Sequence, residues 1–155
     1  MYALVSVQTQ DFDVGAELAA LREQSRQIGA VASFVGVVRD INEGQQVTSM
    51  ELEHYPGMTE SSISAIIEQA SQRWQLLGAR VIHRVGLLQA TDQIVLVAVS
   101  SMHRGEAFSA CEFIMDYLKA RAPFWKKEQT PDGERWVDAR CTDQSAAERW
   151  SEADH

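Results

Sequence analysis

Lysine is scarce in this sequence. Only three of the 155 residues are Lys, against eleven Arg, and the formal net charge is −8. A generic nucleic-acid binder needs a positive surface, so this balance argues against one. The same deficit argues against adhesion to an anionic membrane. Cysteine is equally sparse. Cys111 and Cys141 form no CxxC pair and no disulfide framework, which points to a reducing, cytoplasmic location. The longest apolar run, Ile94–Val99, has six residues, far short of the ~20 that a membrane span needs. The N-terminal stretch has no basic flank before Arg22 and does not read as a signal peptide. There is no GxGxxG, P-loop, GxSxG or HExxH pattern. His54, His83, His103 and His155 have no ligand-like spacing, so no metal site is expected. What remains is ordinary globular composition, 45% hydrophobic and 23% charged. The length suits one domain over residues 1–155, with a polar tail from about residue 141.

The periodicities predict an α+β class. Residues 2–8 read as a strand, and Asp13 can cap a helix running to about Arg26. A β-branched alternating run follows Gly29 and ends at Arg39-Asp40. Residues 42–46 read as a polar loop, and Val47–His54 as a strand with Met50 and Leu52 on one face. Thr59 can cap a helix in which Ile63, Ile66, Ile67, Ala70 and Trp74 recur at helical spacing. Arg80–Leu88 and Gln93–Ser101 read as strands, the second apolar enough to be buried on both faces. A long helix is expected from about Gly105 to Arg121, burying Phe108, Cys111, Met115 and Leu118, with Pro123 stopping it. Phe124–Glu128 and Arg135–Val137 flank the turn residues Thr-Pro-Asp-Gly, which suggests a hairpin. A short polar helix near Asp143–Trp150 ends the chain. Trp74, Trp125, Trp136 and Trp150 read as core or interface residues.

The three lysines, Lys119, Lys126 and Lys127, fall within nine residues, with no acid between them. Lys119 closes a helix, where the dipole alone favours a cation, and Lys126-Lys127 can be a solvated strand end. As a pair they suggest more. Two ammonium groups held close depress one another's pKa, and apolar neighbours such as Phe124 and Trp125 act in the same direction. A lysine so tuned serves as nucleophile or general base, which arginine cannot do. A second cluster, Ser100-Ser-Met-His-Arg104, lies where a buried strand meets a helix start, a common place for anions. It reads equally as a helix cap with an exposed arginine. Arg39 closes an apolar strand, and a surface ion pair would also explain it. Arg39, His103, Arg104, Lys119 and Lys126 could together form one anion pocket. His54 and His83 look less chemical.

These residues also carry a resemblance. Phe34-Val-Gly-Val-Val-Arg39, Leu52-Glu-His-Tyr-Pro-Gly-Met58, Val81-Ile-His-Arg-Val-Gly86, Ser101-Met-His-Arg104, Phe113–Glu128 and Arg135–Arg140 resemble the large, catalytic subunit of molybdopterin synthase, the MoaE family. The likeness runs from about residue 2 to Trp150. It implies an α/β hammerhead fold with additional antiparallel strands. It implies a sulfurtransferase that makes the molybdopterin dithiolene from cyclic pyranopterin monophosphate (precursor Z). Sulfur would come from the C-terminal Gly-Gly thiocarboxylate of a small ubiquitin-like subunit, with no separate cofactor or metal. A homodimer with a small subunit at each end would give a heterotetramer. By the resemblance, Lys119 and Lys126 are catalytic. Val37, Val38, Arg39, His103, Arg104, Lys127 and Glu128 join them in binding substrate. Phe34 and Met115 are pocket walls, and Arg140 reaches the neighbouring protomer's pocket. Two other readings suit a basic pocket: a module that clamps a partner's carboxylate terminus without chemistry, and a Schiff-base lysine enzyme. Neither accounts for the long motif matches.

Overall fold

The computed structural model describes residues 1–39, 41–42, 45–46, 49–130, 133–137, 148 and 150, with backbone alone for 41–42, 45–46, 125–130 and 133–137. The elements in order are β1 (Tyr2–Gln8), α1 (Val14–Arg22), β2 (Ala30–Val37), β3 (Ile41–Asn42), β4 (Gln45–Gln46), β5 (Ser49–His54), α2 (Met58–Arg73), β6 (Leu76–Arg84), β7 (Gly86–Gln89), β8 (Gln93–Ser101), α3 (Arg104–Arg121), β9 (Phe124–Thr130) and β10 (Gly133–Val137). The class is α+β, as the periodicities predict. One sheet has the order β1-β6-β8-β2, and a second has β10-β9-β5-β7. β1 runs parallel to β6, and the other pairings in both sheets are antiparallel.

β8 organises the first sheet. Its Val95, Val97 and Val99 meet Ile63, Ile66, Ile67 and Ala70 of α2 and Phe113, Ile114 and Leu118 of α3 in the main core. Leu96 and Ala98 face the opposite way and pack with Ile82 and Leu21 of α1. The period of two in the strand thus feeds two separate apolar layers. Trp74 and Trp150 close the main core with edge-on contacts to Phe113 at 5.5 and 5.6 Å, in line with the structural role expected of them. α1 is also held by charge. The Arg80 guanidinium, nearly buried, donates to Glu17 of α1 at 2.7 Å, to Ser6 Oγ and to the Leu4 carbonyl. A buried cation with its donors so engaged avoids most of the desolvation cost.

Several expectations change. α1 stops at Arg22, with Glu23 as its cap, because Glu23–Gln27 offers nothing apolar to bury. Asp13 does cap its start, accepting from the Ala16 amide at 3.1 Å. The segment 42–46 contains a small ribbon, with Ile41–Asn42 paired to Gln45–Gln46; residues 43 and 44 lie outside the described residues. Thr59 does not cap α2. Gly57 holds that position, Glu60 accepts from the Gly57 amide, and the Thr59 hydroxyl instead ties Tyr55 to Pro123. Phe108 is 65% exposed. It shares a helix face with Arg104, Glu112 and Lys119, all exposed, while Ala107, Ala110, Cys111 and Ile114 point inward. The expected helix near 143–150 and the tail from 141 lie outside the described residues, apart from Glu148 and Trp150.

The expected strand Arg80–Leu88 is two strands in different sheets. Gly86 has φ +90°, and this left-handed residue turns the chain out of the first sheet and into the second. Val85 and Leu88 then join Val38, Met50 and Leu52 in a core of their own. A Cβ at Gly86 would find room, since its nearest neighbour is Thr9 Cγ2 at 3.5 Å. The cost of Gly86→Ala is therefore backbone strain alone, about 1–2 kcal/mol. Urea unfolding should show that loss with an unchanged denaturant slope.

Candidate active site

The predicted site residues fall at two ends of the molecule. β2 pairs antiparallel with β8, so Ala30 lies opposite Ser101 and Val37 opposite Gln93. Val38 follows, buried, exchanging backbone hydrogen bonds with Asp92 and Thr91 at 2.9 Å each. Arg39, exposed, therefore leaves the sheet at the start of β8. α3 returns along β8, and its last turn carries Lys119 and Arg121 to this same end. β9 starts here as well. Lys126 lies opposite Leu52 in the pairing with β5, and Leu52 packs in one cluster with Val38 and Phe124. Lys127 and Glu128 continue that strand opposite Glu51 and Met50; the side chains of Lys126, Lys127 and Glu128 lie outside the described residues, as does Arg140. Of the expected walls, Met115 is buried on the core face of α3, and Phe34 is 43% exposed on edge strand β2.

His103 and Arg104 lie at the other end. β8 separates them from Arg39 by about 26 Å of strand. Fifteen residues of α3, roughly 22 Å of helix, separate Arg104 from Lys119. Within one protomer the five cations do not make one pocket. Both ends are nonetheless suited to anions. His103 is the N-cap of α3 but no side chain caps the helix there, and both His103 and Arg104 are exposed beside its first amides. The serines before them are buried, and Ser101 donates its hydroxyl to the His103 carbonyl.

The Lys119 end holds a histidine that the sequence reading set aside. His83 on β6 is nearly buried and stacks on Phe124, with ring centroids 3.8 Å apart and planes 18° apart. Burial pushes its imidazole down from 6.5 to about 3, against the opposing pull of its Nδ1 bond to the Arg84 carbonyl at 2.8 Å. The charges of Lys119 and then His54 lower it further. The available signal was its parity. His83 alternates with Val81 and Ala79, so a polar ring occupies an inward position of an apolar strand. Thr91 is a second residue the sequence did not flag. It has φ +77°, rare for a β-branched residue, while its amide holds the Val38 carbonyl beside Arg39.

Other candidate chemistry is absent from the described residues. Burial pushes the Cys111 thiol up to about 11, helped by the Glu112 charge, and its Sγ donates to the Val97 carbonyl. It is no nucleophile near neutrality. No three metal-ligating side chains cluster, and no helix is long and apolar enough to cross a membrane. A depression of about 260 Å³ on the α1 side, lined by Leu18, Arg22 and Ile28–Val31, contains none of the predicted site residues.

The fold is that of an α+β protein whose two sheets meet where α3 ends and the lysine-bearing strand β9 begins. A family model described as MoaE protein matches residues 7–121, and the chain belongs to the MoaE family. It is 68% identical over 146 residues to a Ralstonia nicotianae protein named molybdopterin synthase catalytic subunit, covering 94% of this chain and 83% of the relative. The solved MoaE protein from Burkholderia ambifaria is 57% identical, with a TM-score of 0.84 over 96% of this chain and 98% of that one. The molybdopterin synthase structure from Staphylococcus aureus is 30% identical, with a TM-score of 0.80 over 86% and 96% of the two chains.

Two predictions follow from the titrating groups. Folded His83 stays neutral down to about pH 3, whereas the unfolded chain protonates it at 6.5. Its contribution to stability is therefore complete above pH 6.5 and is lost as pH falls towards 3, by up to about 1.4 kcal/mol per pH unit. Between pH 7 and 5, urea unfolding should cost the native protein about 2 kcal/mol more than His83→Phe. Cys111 should resist iodoacetamide at pH 8 while folded and react in urea, as read by peptide mass mapping.

Proposed function

We infer that this protein is the catalytic subunit of a molybdopterin synthase, a cytoplasmic sulfurtransferase acting on cyclic pyranopterin monophosphate. The observation that carries the reading is the meeting of the end of α3, the start of β9 and the end of β2. It gathers Lys119, Lys126 and Arg39 on one edge of a MoaE-family chain. Sulfur arrives as the thiocarboxylate on the C-terminal Gly-Gly of a small ubiquitin-like subunit. The reaction calls for no cofactor or metal beyond these two substrates.

Arg39 and Lys126 hold the phosphate by charge-assisted hydrogen bonds, with Lys127, Glu128 and the backbone at Val37-Val38 completing the cradle. The thiocarboxylate sulfur attacks a side-chain carbon of the pterin, and an oxygen leaves that carbon as the C–S bond forms. Water then adds to the acyl carbon, and the acyl–sulfur bond breaks. The partner departs as a carboxylate, and the sulfur stays on the pterin. Lys119 stabilises the oxyanion of the tetrahedral intermediate and handles its proton. A second round gives the dithiolene.

His103 and Arg104 are too far along α3 to touch a pterin held at Lys119 of the same protomer. They serve the pocket of a second copy. A homodimer that sets the start of one α3 against the end of the other completes both pockets, and Arg140 is assigned to the same shared pocket. One small subunit on each pocket gives a heterotetramer. The fit of an acidic chain to an anionic substrate and tail lies in this local reversal of sign.

The test mixes purified protein with thiocarboxylated small subunit and precursor and assays molybdopterin. Lys119→Ala should lower turnover about 100-fold or more, and wild-type turnover from that variant would refute its assignment. Lys119→Arg keeps the charge, so full activity there would restrict Lys119 to an electrostatic role. Mixed dimers of Lys119→Ala with Arg104→Ala should recover activity that neither variant has alone. No recovery would mean that the pocket is not shared.

A further inference from the structure

His54 and His83, set aside on sequence grounds, both lie at the edge where α3 ends. His54 stands opposite Phe124 in the β5–β9 pairing. His83 stacks on the Phe124 ring from β6, at 3.8 Å. Because a carbonyl only accepts, the 2.8 Å contact to Arg84 puts the ring proton on Nδ1 and leaves Nε2 as an acceptor. Phe124 is the first residue of β9, two before Lys126. The chain leading into it is pinned by the Thr59 hydroxyl on the Pro123 carbonyl and by the Phe124 amide on Ala122. Lys119 lies on the last turn of α3, and its charge is one of the causes that lower the His83 pKa. One buried imidazole therefore touches the strand that carries Lys126 and feels the charge of Lys119.

We propose that His83 is a positioning residue of the sulfur-transfer reaction, setting the end of α3 against the start of β9 through Phe124 and Lys119. The proposal rests on the site assignment given under the proposed function. Two properties of the residue suit the role. Its flat contact fixes the Phe124 ring, and with it the first turn of chain into the lysine-bearing strand. Its ring also carries no charge near neutrality, so it adds no second cation at the end where Lys119 lies. Among the described residues, the charged and titratable groups that act on it are Lys119 from α3 and His54 from β5, with Arg84 supplying its carbonyl.

The experiment compares wild type, His83→Gln and His83→Phe in the complete assay with thiocarboxylated small subunit and precursor, with active protein counted by folded fraction. His83→Gln loses the stack, and its kcat should fall about tenfold or more with KM for the pterin within about twofold. His83→Phe keeps a ring against Phe124 and should restore most of that kcat. A His83→Gln enzyme with wild-type kcat overturns the proposal, and so does an equal loss in both variants. If His83→Gln does not fold, the wild-type protein and Lys119→Met are compared by imidazole nitrogen NMR. Displaced His83 signals support the coupling, and unchanged signals overturn it. Absence of product from wild type would sink the sulfur-transfer reading itself, whereas an active wild type with unaffected His83 variants sinks only this inference.

Discussion

Strand β8 has seven consecutive residues, Val95–Ser101, with almost no contact with solvent. Each large apolar side chain among them contributes about 1.5–3 kcal/mol when fully buried, and that gain requires cover on both faces of the sheet. α1 covers one face, and α2 with α3 covers the other. Everything of chemical interest hangs on how that cover is laid. α3 follows β8 directly and packs back along it, so its last turn returns to the end of the sheet where β8 began. The lysines are there because the helix that seals the core ends there.

The same return path divides the cations. A helix of 18 residues sets its two termini roughly 27 Å apart, so Arg104 and Lys119 mark opposite ends of one rigid rod. The two ends differ in character: the first amides of the helix mark the start, and Lys119 and Arg121 in its last turn mark the finish. A chain with an overall charge of −8 can thus offer locally positive surfaces without becoming a general polyanion binder.

Two buried polar side chains hold the sheet's faces in contrasting ways. Arg80 keeps its charge on the α1 face because Glu17, Ser6 and backbone carbonyls take up its donors. His83 sits on the opposite face and stays neutral, since burial and neighbouring cations both disfavour its proton. On opposite faces of β6, Arg80 anchors a helix by charge, and His83 stacks on Phe124 without one.

The sequence alone determined whatever depends on local pattern. Tyr2–Gln8 and Gln93–Ser101 have the bounds that alternation and apolar run-length predict, and the isoleucine spacing of α2 names its buried face. The long motifs around the lysines pointed to the family. Tertiary structure decided what depends on contacts distant in sequence. Gly86 splits one apolar stretch between two sheets because a left-handed residue redirects the chain, which no alternation reveals. Phe108 faces outward because the helix phase is set by what covers β8. Which cations share an end of the molecule, and that His83 lies against Phe124, depends on the packing of α3 over β8 and β2 and of the two sheets at that end. Sequence spacing measures distance along the chain, and a helix folded back over a sheet turns neighbours in the pattern into opposite poles of the molecule.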